Sequence, residues 1–424
     1  MDNQIELLYS RFLLAEGVST DTRTIGRGDL FFALSGPNFN GNVFAQDALD
    51  KGASFVVVDD KKYADGDNVL LVPDALEALQ KLAVFHRKRF RGKVLAITGS
   101  NGKTTTKELV SRVLRMKYDV LSTEGNLNNH IGVPLTLLKI NPQVEIAVIE
   151  MGASSVGDIA ELCSYALPTH GIITNIGHAH TETFGGIEGV LKGKTELFDF
   201  LIENDGYSFL NISDSRLNKM DKRFNGFSEF PSQKLALQPS DNYVQFHYED
   251  TPVTTGLIGD YNFPNLAAAV AIGEYFEVPK NDIIEAISSY KPDNWRSQII
   301  EKEKGIAIVL DAYNANPDSM KVAIESFIKR KGKKAVILGD MLELEDPASS
   351  HAELGSFLSQ QEIELVLLVG EQMMHTKNQL PMSRHFDDVR SLKNYVSEVD
   401  WQNFQILLKG SRRMKLEELV QVIS

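Results

Sequence analysis

The feature that most constrains this chain is a glycine-containing loop at 97–106, with the sequence I-T-G-S-N-G-K-T-T-T. An apolar run at 94–98 leads into it, and an amphipathic stretch begins at Lys103. This order predicts a buried strand, a tight loop and a helix whose N-terminus points at the loop. Such a unit binds the phosphates of a nucleotide and requires an α/β fold with a parallel sheet.

Each residue type in the loop suits that chemistry. Gly99 and Gly102 let backbone N–H groups approach a polyphosphate without an obstructing Cβ atom. Lys103 offers a positive charge to the β- and γ-phosphates, and the Thr104 hydroxyl is suited to Mg²⁺. The predicted nucleotide-binding residues of the loop are Gly99, Ser100, Asn101, Gly102, Lys103, Thr104 and Thr105.

Composition and charge indicate a soluble protein of several domains. The 424 residues are 43% hydrophobic and 24% charged, as is usual for globular proteins. The net charge of −13 argues against nucleic acid as the main partner, because a phosphate backbone is bound by a basic surface. The one cysteine, Cys163, lies in an apolar helical pattern and permits no intrachain disulfide. With no signal-peptide pattern and no apolar run long enough to span a membrane, we expect a cytoplasmic protein without a membrane partner.

The order of apolar and helical patterns predicts three α/β domains. Residues 1–90 form a small unit in which short apolar runs alternate with helical patterns. Residues 91–295 alternate strands and helices as in a central P-loop parallel-sheet ATPase domain, with hairpins between 233 and 258 on its flank. Turn-forming residues at 292–297 precede a further alternation, which predicts a C-terminal Rossmann-like domain over 296–424.

Polar residues follow two of the predicted strands in the central domain. Glu150 ends the apolar run A-V-I-E, and the next predicted strand leads into T-N-I-G-H-A-H, which contains His178 and His180. Ligands of open α/β sheets bind at the carboxyl ends of the strands, so Glu150 and one histidine are expected beside Thr104 as metal ligands. The alternatives are a solvated strand end and surface histidines, and histidine is an unusual ligand for Mg²⁺.

Five segments of the chain together resemble the Mur ligase family, whose members form an amide bond from a carboxylate, an amine and ATP. These segments are T-G-S-N-G-K-T, G-N-L-N-N-H-I-G-V-P, V-I-E-M-G-A, N-I-G-H-A-H and K-T-E-L-F. Without the family, Lys192 and Lys194 would be read as solvated lysines on one face of a helix. The resemblance implies that Lys194 reacts with CO₂ to form a carbamate that binds a second Mg²⁺, with His180 as another ligand and Glu150 shared.

The same resemblance implies the rest of the ATP site. Asn262 and Asn265 in G-D-Y-N-F-P-N resemble the family's adenine-side motif, although Tyr261 stands where the family often has histidine. Arg296 in W-R-S-Q and Asp311 in V-L-D-A-Y-N-A-N-P resemble the interdomain arginine and acid that close on ATP. The catalytic residues that the resemblance implies are Lys103, His180, Lys194 and Arg296.

The N- and C-terminal regions indicate which substrates the chain uses. The segment S-T-D-T-R resembles a motif that binds a uridine-diphosphate sugar, whereas alone it describes a polar turn with a surface salt bridge. Its implied substrate residues are Ser19, Thr20, Asp21 and Arg23. Near the other end, Y-N-A-N-P-D-S-M, L-G-D-M-L-E-L and L-K-G-S-R resemble the family member that adds D-alanyl-D-alanine. The D-N-P-R signature of the diaminopimelate-adding member is absent.

Further substrate residues follow from the same motifs. Asn128 and Asn129 resemble family positions near the acceptor peptide, with loop capping as the alternative. The C-terminal motifs contribute Asn314 and Asn316 as substrate residues. They also contribute Lys409, Ser411 and Arg412, which would hold either the dipeptide carboxylate or the ATP phosphates.

The resemblance therefore implies a monomeric enzyme that joins D-alanyl-D-alanine to UDP-N-acetylmuramoyl-tripeptide through an acyl phosphate, with domain closure about 293–297. The nearest alternative is the family member that adds diaminopimelate or lysine, and a folate polyglutamate ligase is more remote. A uridine-nucleotide sensor without catalysis is disfavoured by the intact Lys103 and Lys194. A P-loop kinase or motor is disfavoured because Ile97 replaces a glycine of the longer Walker pattern.

Overall fold

The structure is a computed structural model that describes residues 3–224 and 226–424. Its N-terminal elements are α1 (Asn3–Phe12), β1 (Val18–Ser19), β2 (Leu30–Phe32), β3 (Ser35–Gly36), β4 (Phe39–Asn40), α2 (Ala45–Asp50), β5 (Phe55–Val58), β6 (Val69–Leu71) and α3 (Ala75–Arg87). They build a four-stranded parallel sheet in the order β1-β2-β5-β6, with β3 and β4 as a separate hairpin.

The central part is a six-stranded sheet in which all neighbouring strands are parallel. Its elements are β7 (Lys93–Thr98), α4 (Lys103–Arg115), β8 (Val120–Ser122), α5 (Gly132–Leu137), β9 (Ile146–Glu150), α6 (Asp158–Ala166), β10 (His170–Ile173), α7 (Thr181–Phe184), α8 (Ile187–Glu203), β11 (Tyr207–Asn211) and β12 (Phe227–Phe230). The strand order is β12-β11-β10-β7-β9-β8. Because the strands are parallel, the carboxyl ends of β7, β9 and β10 meet at one edge of the sheet.

A small antiparallel sheet and two helices follow on the flank of the central sheet. These elements are β13 (Leu235–Gln238), β14 (Tyr243–Tyr248), β15 (Thr251–Ile258), α9 (Phe263–Tyr275) and α10 (Lys280–Ser288). The strands pair in the order β13-β14-β15, so the hairpins predicted between 233 and 258 are confirmed.

The C-terminal part is a second six-stranded sheet in the order β16-β17-β21-β18-β19-β20. Its elements are β16 (Gln298–Glu301), β17 (Ala307–Asp311), α11 (Pro317–Ile328), β18 (Lys333–Gly339), α12 (Pro347–Leu358), β19 (Leu365–Val369), α13 (Met373–Gln379), β20 (Arg384–Phe386), α14 (Val389–Val396) and β21 (Phe404–Lys409). The edge strand β16 is antiparallel to β17, whereas the other pairs are parallel, as in a doubly wound fold.

The cores explain why the N-terminal and central parts pack together. Alternate residues of β7 face opposite sides of the sheet: Val94 and Ala96 pack in one core, Leu95 and Ile97 in the other. The first of these cores also contains Phe32 of the N-terminal sheet. The N-terminal sheet therefore shares a continuous apolar core with one face of the central sheet.

Most predicted elements are present with bounds shifted by one or two residues. The strand predicted over 94–98 is β7, which is one residue longer, and the run that ends at Glu150 is β9. Helix α4 begins at Lys103 as expected. In the two six-stranded sheets, β8, β11, β12, β16 and β20 were not predicted, and all of these except β11 are edge strands with little apolar pattern. The predicted domain limits at residues 90 and 295 lie in the connections before β7 and β16 and remain predictions. Within the described ranges, no helix has the length and apolarity needed to cross a bilayer.

At the end of the central sheet opposite the phosphate loop, His170 begins β10 and is only 3% exposed. Its Nδ1 lies 2.8 Å from the Thr169 hydroxyl and its Nε2 lies 3.1 Å from the Tyr275 hydroxyl. The Tyr207 ring packs beside it. Burial, together with the nearby charge of Lys93, lowers the pKa of His170 to about 4.

We predict that His170→Gln flattens the loss of stability in acid. An unfolded histidine takes up a proton near pH 6.5, whereas folded His170 resists until about pH 4, so stability falls as the pH falls through this window. This proton uptake lowers the free energy of unfolding by up to about 3 kcal/mol in acid, and the His170→Gln variant lacks the effect. Urea unfolding at pH 7 and pH 4.5 measures the difference between the two proteins. The other histidines titrate in both proteins. An equal change in the free energy of unfolding between the two pH values in the wild type and the variant would therefore contradict the prediction.

Candidate active site

The loop between β7 and α4 packs so closely against its neighbours that two of its positions require glycine. Gly99 and Gly102 have φ angles of 141° and 81°. A Cβ atom at Gly99 would lie 2.0 Å from Oγ1 of Thr174, and one at Gly102 would lie 2.5 Å from Oδ1 of Asn265. The loop is therefore fixed between the end of β10 and helix α9, and its N–H groups are held at the N-terminus of α4.

Lys103, the first residue of α4, folds back over this loop. Its Nζ donates to the carbonyl oxygens of Gly99, at 2.7 Å, and Ser100, at 3.2 Å. Burial lowers the pKa of Lys103 to about 8, the carboxylate of Glu150 raises it, and the charge of Arg296 lowers it further. A desolvated cation at the start of a helix is arranged to bind an anion such as a phosphate.

Glu150, at the end of β9, is a buried carboxylate with one oxygen free. Its Oε1 accepts a hydrogen bond of 2.8 Å from Nδ2 of Asn128, whereas Oε2 is buried and has no partner among the described residues. An unpaired carboxylate oxygen is costly to bury, and a cation would satisfy it. The buried Thr104 lines the same cavity. No group of three His, Cys, Asp or Glu residues suited to a metal occurs within 3–224 and 226–424.

Lys194 is buried in helix α8, in contrast to Lys192, which is exposed. Its Nζ donates to the carbonyl oxygen of Ala153 at 3.1 Å and lies 5.2 Å from the centre of the Phe184 ring. Burial, reinforced by the charge of Lys103, holds the pKa of Lys194 well below its ordinary value. The neutral amine that results is the form that reacts with CO₂, so the environment fits the predicted carbamate.

The two histidines after β10 face the C-terminal sheet. Asp318, in the first turn of α11, accepts a hydrogen bond of 2.7 Å from the backbone N–H of His178 and lies 3.1 Å from its Nδ1. Nδ1 of His180 lies 2.6 Å from Oε2 of Glu343. His180, predicted to bind a metal beside Glu150, is therefore paired with a carboxylate from the other side of the cleft.

These residues surround one cavity of about 1060 Å³ between the central and C-terminal sheets. Most of the predicted site residues line it. They are Ser100, Asn101, Gly102, Lys103, Thr104, Thr105, Asn128, Asn129, Glu150, His180, Asn262, Asn265, Arg296, Asp311, Asn314 and Lys409. The remaining predicted residues lie outside its described lining, namely Gly99, Lys194, Asn316, Ser411, Arg412, Ser19, Thr20, Asp21 and Arg23.

Family models match three successive parts of the chain. The model for the Mur ligase family, catalytic domain, matches residues 15–87, that for the Mur ligase middle domain 97–273, and that for the Mur ligase, glutamate ligase domain, 295–412. A UDP-N-acetylmuramoyl-tripeptide–D-alanyl-D-alanine ligase of Bacillus subtilis is 35% identical over 96% of this chain and 92% of its own. The chain belongs to the Mur ligase family. The Escherichia coli ligase of the same name is 32% identical over 96% of this chain and 93% of its own.

Solved structures agree with this family. MurF from Acinetobacter baumannii superimposes with a TM-score of 0.87 and 26% identity, covering 99% of this chain and 98% of that one. MurF ligase from Thermotoga maritima in complex with ADP gives a TM-score of 0.84 and 29% identity, with 97% of each chain covered. The predicted fold, with three α/β domains, is confirmed.

In this Mur ligase the residues predicted to lie on the adenine side form a buried chain of hydrogen bonds. Nδ2 of Asn262 donates to the carbonyl of Ile258 at 2.8 Å, and Nδ2 of Asn265 donates to Oδ1 of Asn262 at 3.0 Å. The Tyr261 hydroxyl lies 2.8 Å from Oγ of Ser297. Tyr261, which replaces the frequent histidine, is thus bonded to the connection between the central and C-terminal sheets.

Lys409, Ser411 and Arg412 of the predicted set each contact a residue in or next to the C-terminal sheet region. Nζ of the buried Lys409 donates to Oδ2 of the partly exposed Asp311 at 2.6 Å. Oγ of Ser411 donates to the carbonyl of Asp340 at 2.7 Å, and the Arg412 guanidinium stacks on Trp295. Their predicted contacts with the dipeptide or with phosphate remain predictions.

Loop capping at Asn129 and a surface salt bridge at Arg23, the alternatives to substrate binding, both occur in the structure. Oδ1 of Asn129 accepts from the backbone N–H of Gly132 at 2.9 Å, as a loop cap does. Arg23 forms an exposed ion pair with Asp21, and hydrogen bonds from Arg23 lower the pKa of Asp21 to about 2. Both arrangements leave the predicted substrate contacts as predictions, because a sugar nucleotide would compete for the same groups.

Sequence reasoning missed five charged residues that line the cavity, namely Asp158, Glu161, Arg216, Asp318 and Glu343. Asp318 and Glu343 lie in the quoted motifs Y-N-A-N-P-D-S-M and L-G-D-M-L-E-L, but their partners are 140 and 163 residues away in the chain. Arg216 follows β11 at the carboxyl edge of the sheet, and that position was the only signal for it.

We predict that Asp318→Ala favours an open arrangement of the C-terminal sheet. Asp318 packs so closely that a Cβ atom at Gly177 would lie 2.6 Å from its Oδ2, and the variant loses the hydrogen bonds to His178. A net loss of about 1 kcal/mol should shift the equilibrium between closed and open forms roughly fivefold. Small-angle scattering without nucleotide should then give a larger radius of gyration than for the wild type.

The matched control is Glu418→Ala, which breaks the exposed ion pair with Lys393 within the C-terminal sheet region. It should leave the scattering unchanged, because exposed pairs of this kind contribute little. Identical radii for the wild type and Asp318→Ala would contradict the role of Asp318 in closure.

Proposed function

We propose that this Mur ligase joins D-alanyl-D-alanine to UDP-N-acetylmuramoyl-tripeptide in the cytoplasm, with ATP cleaved to ADP and phosphate, as a step in peptidoglycan precursor synthesis. The substrates are those named in the relatives of Bacillus subtilis and Escherichia coli. Binding of ATP is supported by the similar Thermotoga maritima structure, whose complex contains ADP. The enzyme acts as a monomer, since one chain contains the whole cavity.

The observation that carries the proposal is the position of Lys103, Glu150 and Arg296 around one cavity between the central and C-terminal sheets. The phosphate loop and Lys103 provide charge for a polyphosphate, and the unpaired oxygen of Glu150 provides a ligand for a cation that accompanies it. Arg296 stacks on Tyr313, which follows β17 of the C-terminal sheet, and its charge acts on Lys103. A nucleotide triphosphate with a divalent cation fits this combination of charges.

The residues present fit Mg²⁺ and a carbamate. Glu150 and Thr104 would hold one ion, and Lys194 as its carbamate would hold a second, together with His180 after it leaves Glu343. When bound, Mg²⁺ neutralises charge that develops on the phosphoryl oxygens. The support for the carbamate is the buried Lys194 amine, whose pKa is held low by burial.

The reaction requires two displacements with separate tasks for the protein. A carboxylate oxygen of the tripeptide attacks the γ-phosphorus of ATP, and the bond from this phosphorus to the β-phosphate oxygen breaks. ADP departs, and the tripeptide now carries an acyl phosphate. The dipeptide amine then attacks the acyl carbon, phosphate leaves with the bonding electrons, and the amine gives its proton to the departing phosphate. Lys103 and Arg296 orient the γ-phosphoryl group from two sides, and closure of the C-terminal sheet excludes water. Positioning of this kind supplies about 7–11 kcal/mol of the barrier.

Phosphate release with Mg-ATP and UDP-N-acetylmuramoyl-tripeptide, with and without D-alanyl-D-alanine, tests the proposal when the products are weighed by mass spectrometry. We expect release that depends on the dipeptide, together with the mass of UDP-N-acetylmuramoyl-pentapeptide. Extension of a dipeptide precursor by diaminopimelate or lysine, with no use of D-alanyl-D-alanine, would refute the substrate assignment. Purified tripeptides with diaminopimelate or lysine at the third position identify the preferred acceptor.

We predict that Lys194→Ala lowers kcat by about a hundredfold, because it removes both the carbamate and its ion. The matched control is Lys192→Ala on the exposed side of the same helix, which should keep the wild-type rate. Carbon-13 NMR with labelled bicarbonate should show a carbamate signal in the wild type and in Lys192→Ala but not in Lys194→Ala. Full activity of Lys194→Ala, or a carbamate signal that survives in it, would contradict the prediction.

A further inference from the structure

Arg296 lies in a connection whose backbone is held in an unusual conformation. Its two neighbours, Trp295 and Ser297, have φ angles of 59° and 52°, in the left-handed region that side-chain-bearing residues rarely adopt. The backbone N–H of Ser297 donates to Oδ1 of Asp311 at 3.3 Å, and its hydroxyl lies 2.8 Å from that of Tyr261. The surrounding side chains therefore determine the direction in which Arg296 leaves the backbone.

The guanidinium of Arg296 is held by an aromatic ring. Its central carbon lies 3.8 Å from the centre of the Tyr313 ring, and its Nε is buried without a hydrogen-bond partner among the described residues. A second guanidinium, that of Arg412, lies 3.9 Å from the Trp295 ring and 5.7 Å from the Tyr313 ring. Two arginines and two aromatic rings thus form a compact stack beside the cleft, and Tyr313 contacts both cations.

Arg296 needs such a support because it faces another cation. Its charge is close enough to lower the pKa of Lys103, so the two side chains repel one another when no anion lies between them. The face of an aromatic ring attracts a guanidinium and leaves its edge N–H groups free to bind an anion. The ring of Tyr313 lies against the Arg296 guanidinium, so the ring is the part that acts on it.

We propose that Tyr313 is a positioning residue, whose ring holds the Arg296 guanidinium at the side of the cleft opposite the phosphate loop so that its N–H groups bind the nucleotide phosphates. The inference rests on the proposed function in that the cavity binds ATP. It adds that Tyr313 acts through Arg296 and does not need its hydroxyl. A merely structural role for Tyr313 would affect stability and nucleotide binding independently of Arg296.

A double-mutant cycle separates these two roles. The variants are Tyr313→Phe, Tyr313→Leu, Arg296→Met and the double variant Arg296→Met/Tyr313→Leu, and the probe is the β,γ-imido analogue of ATP with Mg²⁺. Calorimetry gives the Kd of this analogue, and dipeptide-dependent phosphate release gives kcat and the KM for ATP. Tyr395→Leu is the matched control, because Tyr395 stacks on Arg384 at 4.8 Å in the C-terminal sheet region and does not line the cavity among the described residues.

We expect Tyr313→Leu to weaken analogue binding about tenfold, and Tyr313→Phe and Tyr395→Leu to stay within about twofold of the wild type. In the Arg296→Met background, Tyr313→Leu should weaken analogue binding by less than about twofold, because the guanidinium that the ring supports is already absent. An equal loss in both backgrounds, a loss in Tyr313→Phe as large as that in Tyr313→Leu, or no loss in Tyr313→Leu would each overturn the inference. Tyr313→Met, which fills a similar volume without a ring, takes the place of Tyr313→Leu if that variant does not fold.

The two readouts also distinguish the inference from the proposed function. If the wild type binds the analogue and shows the expected coupling but does not use D-alanyl-D-alanine, the substrate assignment fails while the role of Tyr313 stands. If ligation proceeds and the coupling is absent, the role of Tyr313 fails alone.

Discussion

The active site depends on the close packing of the phosphate loop against two elements of the central domain. With Thr174 under Gly99 and Asn265 under Gly102, no larger residue fits at either glycine. These two contacts hold the loop in place, and helix α4 therefore starts at a fixed position at the edge of the sheet. This constraint fixes the position of Lys103. Glu150 and Arg296 contribute to the phosphate site through their positions relative to Lys103. A protein can use backbone N–H groups as phosphate ligands only if the backbone is held in this way.

Charge in the cleft explains how an acidic protein binds anionic substrates. The chain has a net charge of −13, yet Lys103, Arg296 and Lys409 line the cavity, and Lys194 lies close enough to Lys103 for their charges to interact. Burial and the repulsion between cations lower the pKa values of Lys103 and Lys194. A polyphosphate bound in the cavity would offset this repulsion. Local desolvation, and not the net charge of the surface, gives the site its affinity for anions.

The sequence was sufficient for the parts of the site that are formed by local structure. The end of a strand, two glycines and the start of a helix lie within ten residues, so the loop at 97–106 could be predicted. The position of Glu150 at the end of β9 could be predicted as well. Contacts between distant segments could not be predicted in the same way. The pairing of His180 with Glu343 depends on how two sheets face each other across the cleft, and no periodic pattern in the chain records that arrangement.

Burial of Lys194 illustrates a second limit of the sequence. Lys192 and Lys194 lie two residues apart on one helix, and their local patterns are nearly the same, yet one is exposed and the other buried. Helix α8 turns through about 200° between them, so the packing of its neighbours decides which lysine is desolvated. Only the family resemblance distinguished Lys194 before the structure was considered.

The contacts across the cleft indicate how ligand binding is coupled to closure. Nδ2 of Asn316 donates to Oδ1 of Asn101 in the phosphate loop, and Asp318 and Glu343 contact the segment after β10. All three residues of the C-terminal sheet region thus touch segments that border the phosphate site. The contacts are polar and partly exposed, and each contributes about 1 kcal/mol or less, so no single one locks the cleft. A phosphate bound in the cavity, which Asn101 and His178 line, acts on several of these contacts at once. Closure can then be strong with substrate present and readily reversed after the product has formed.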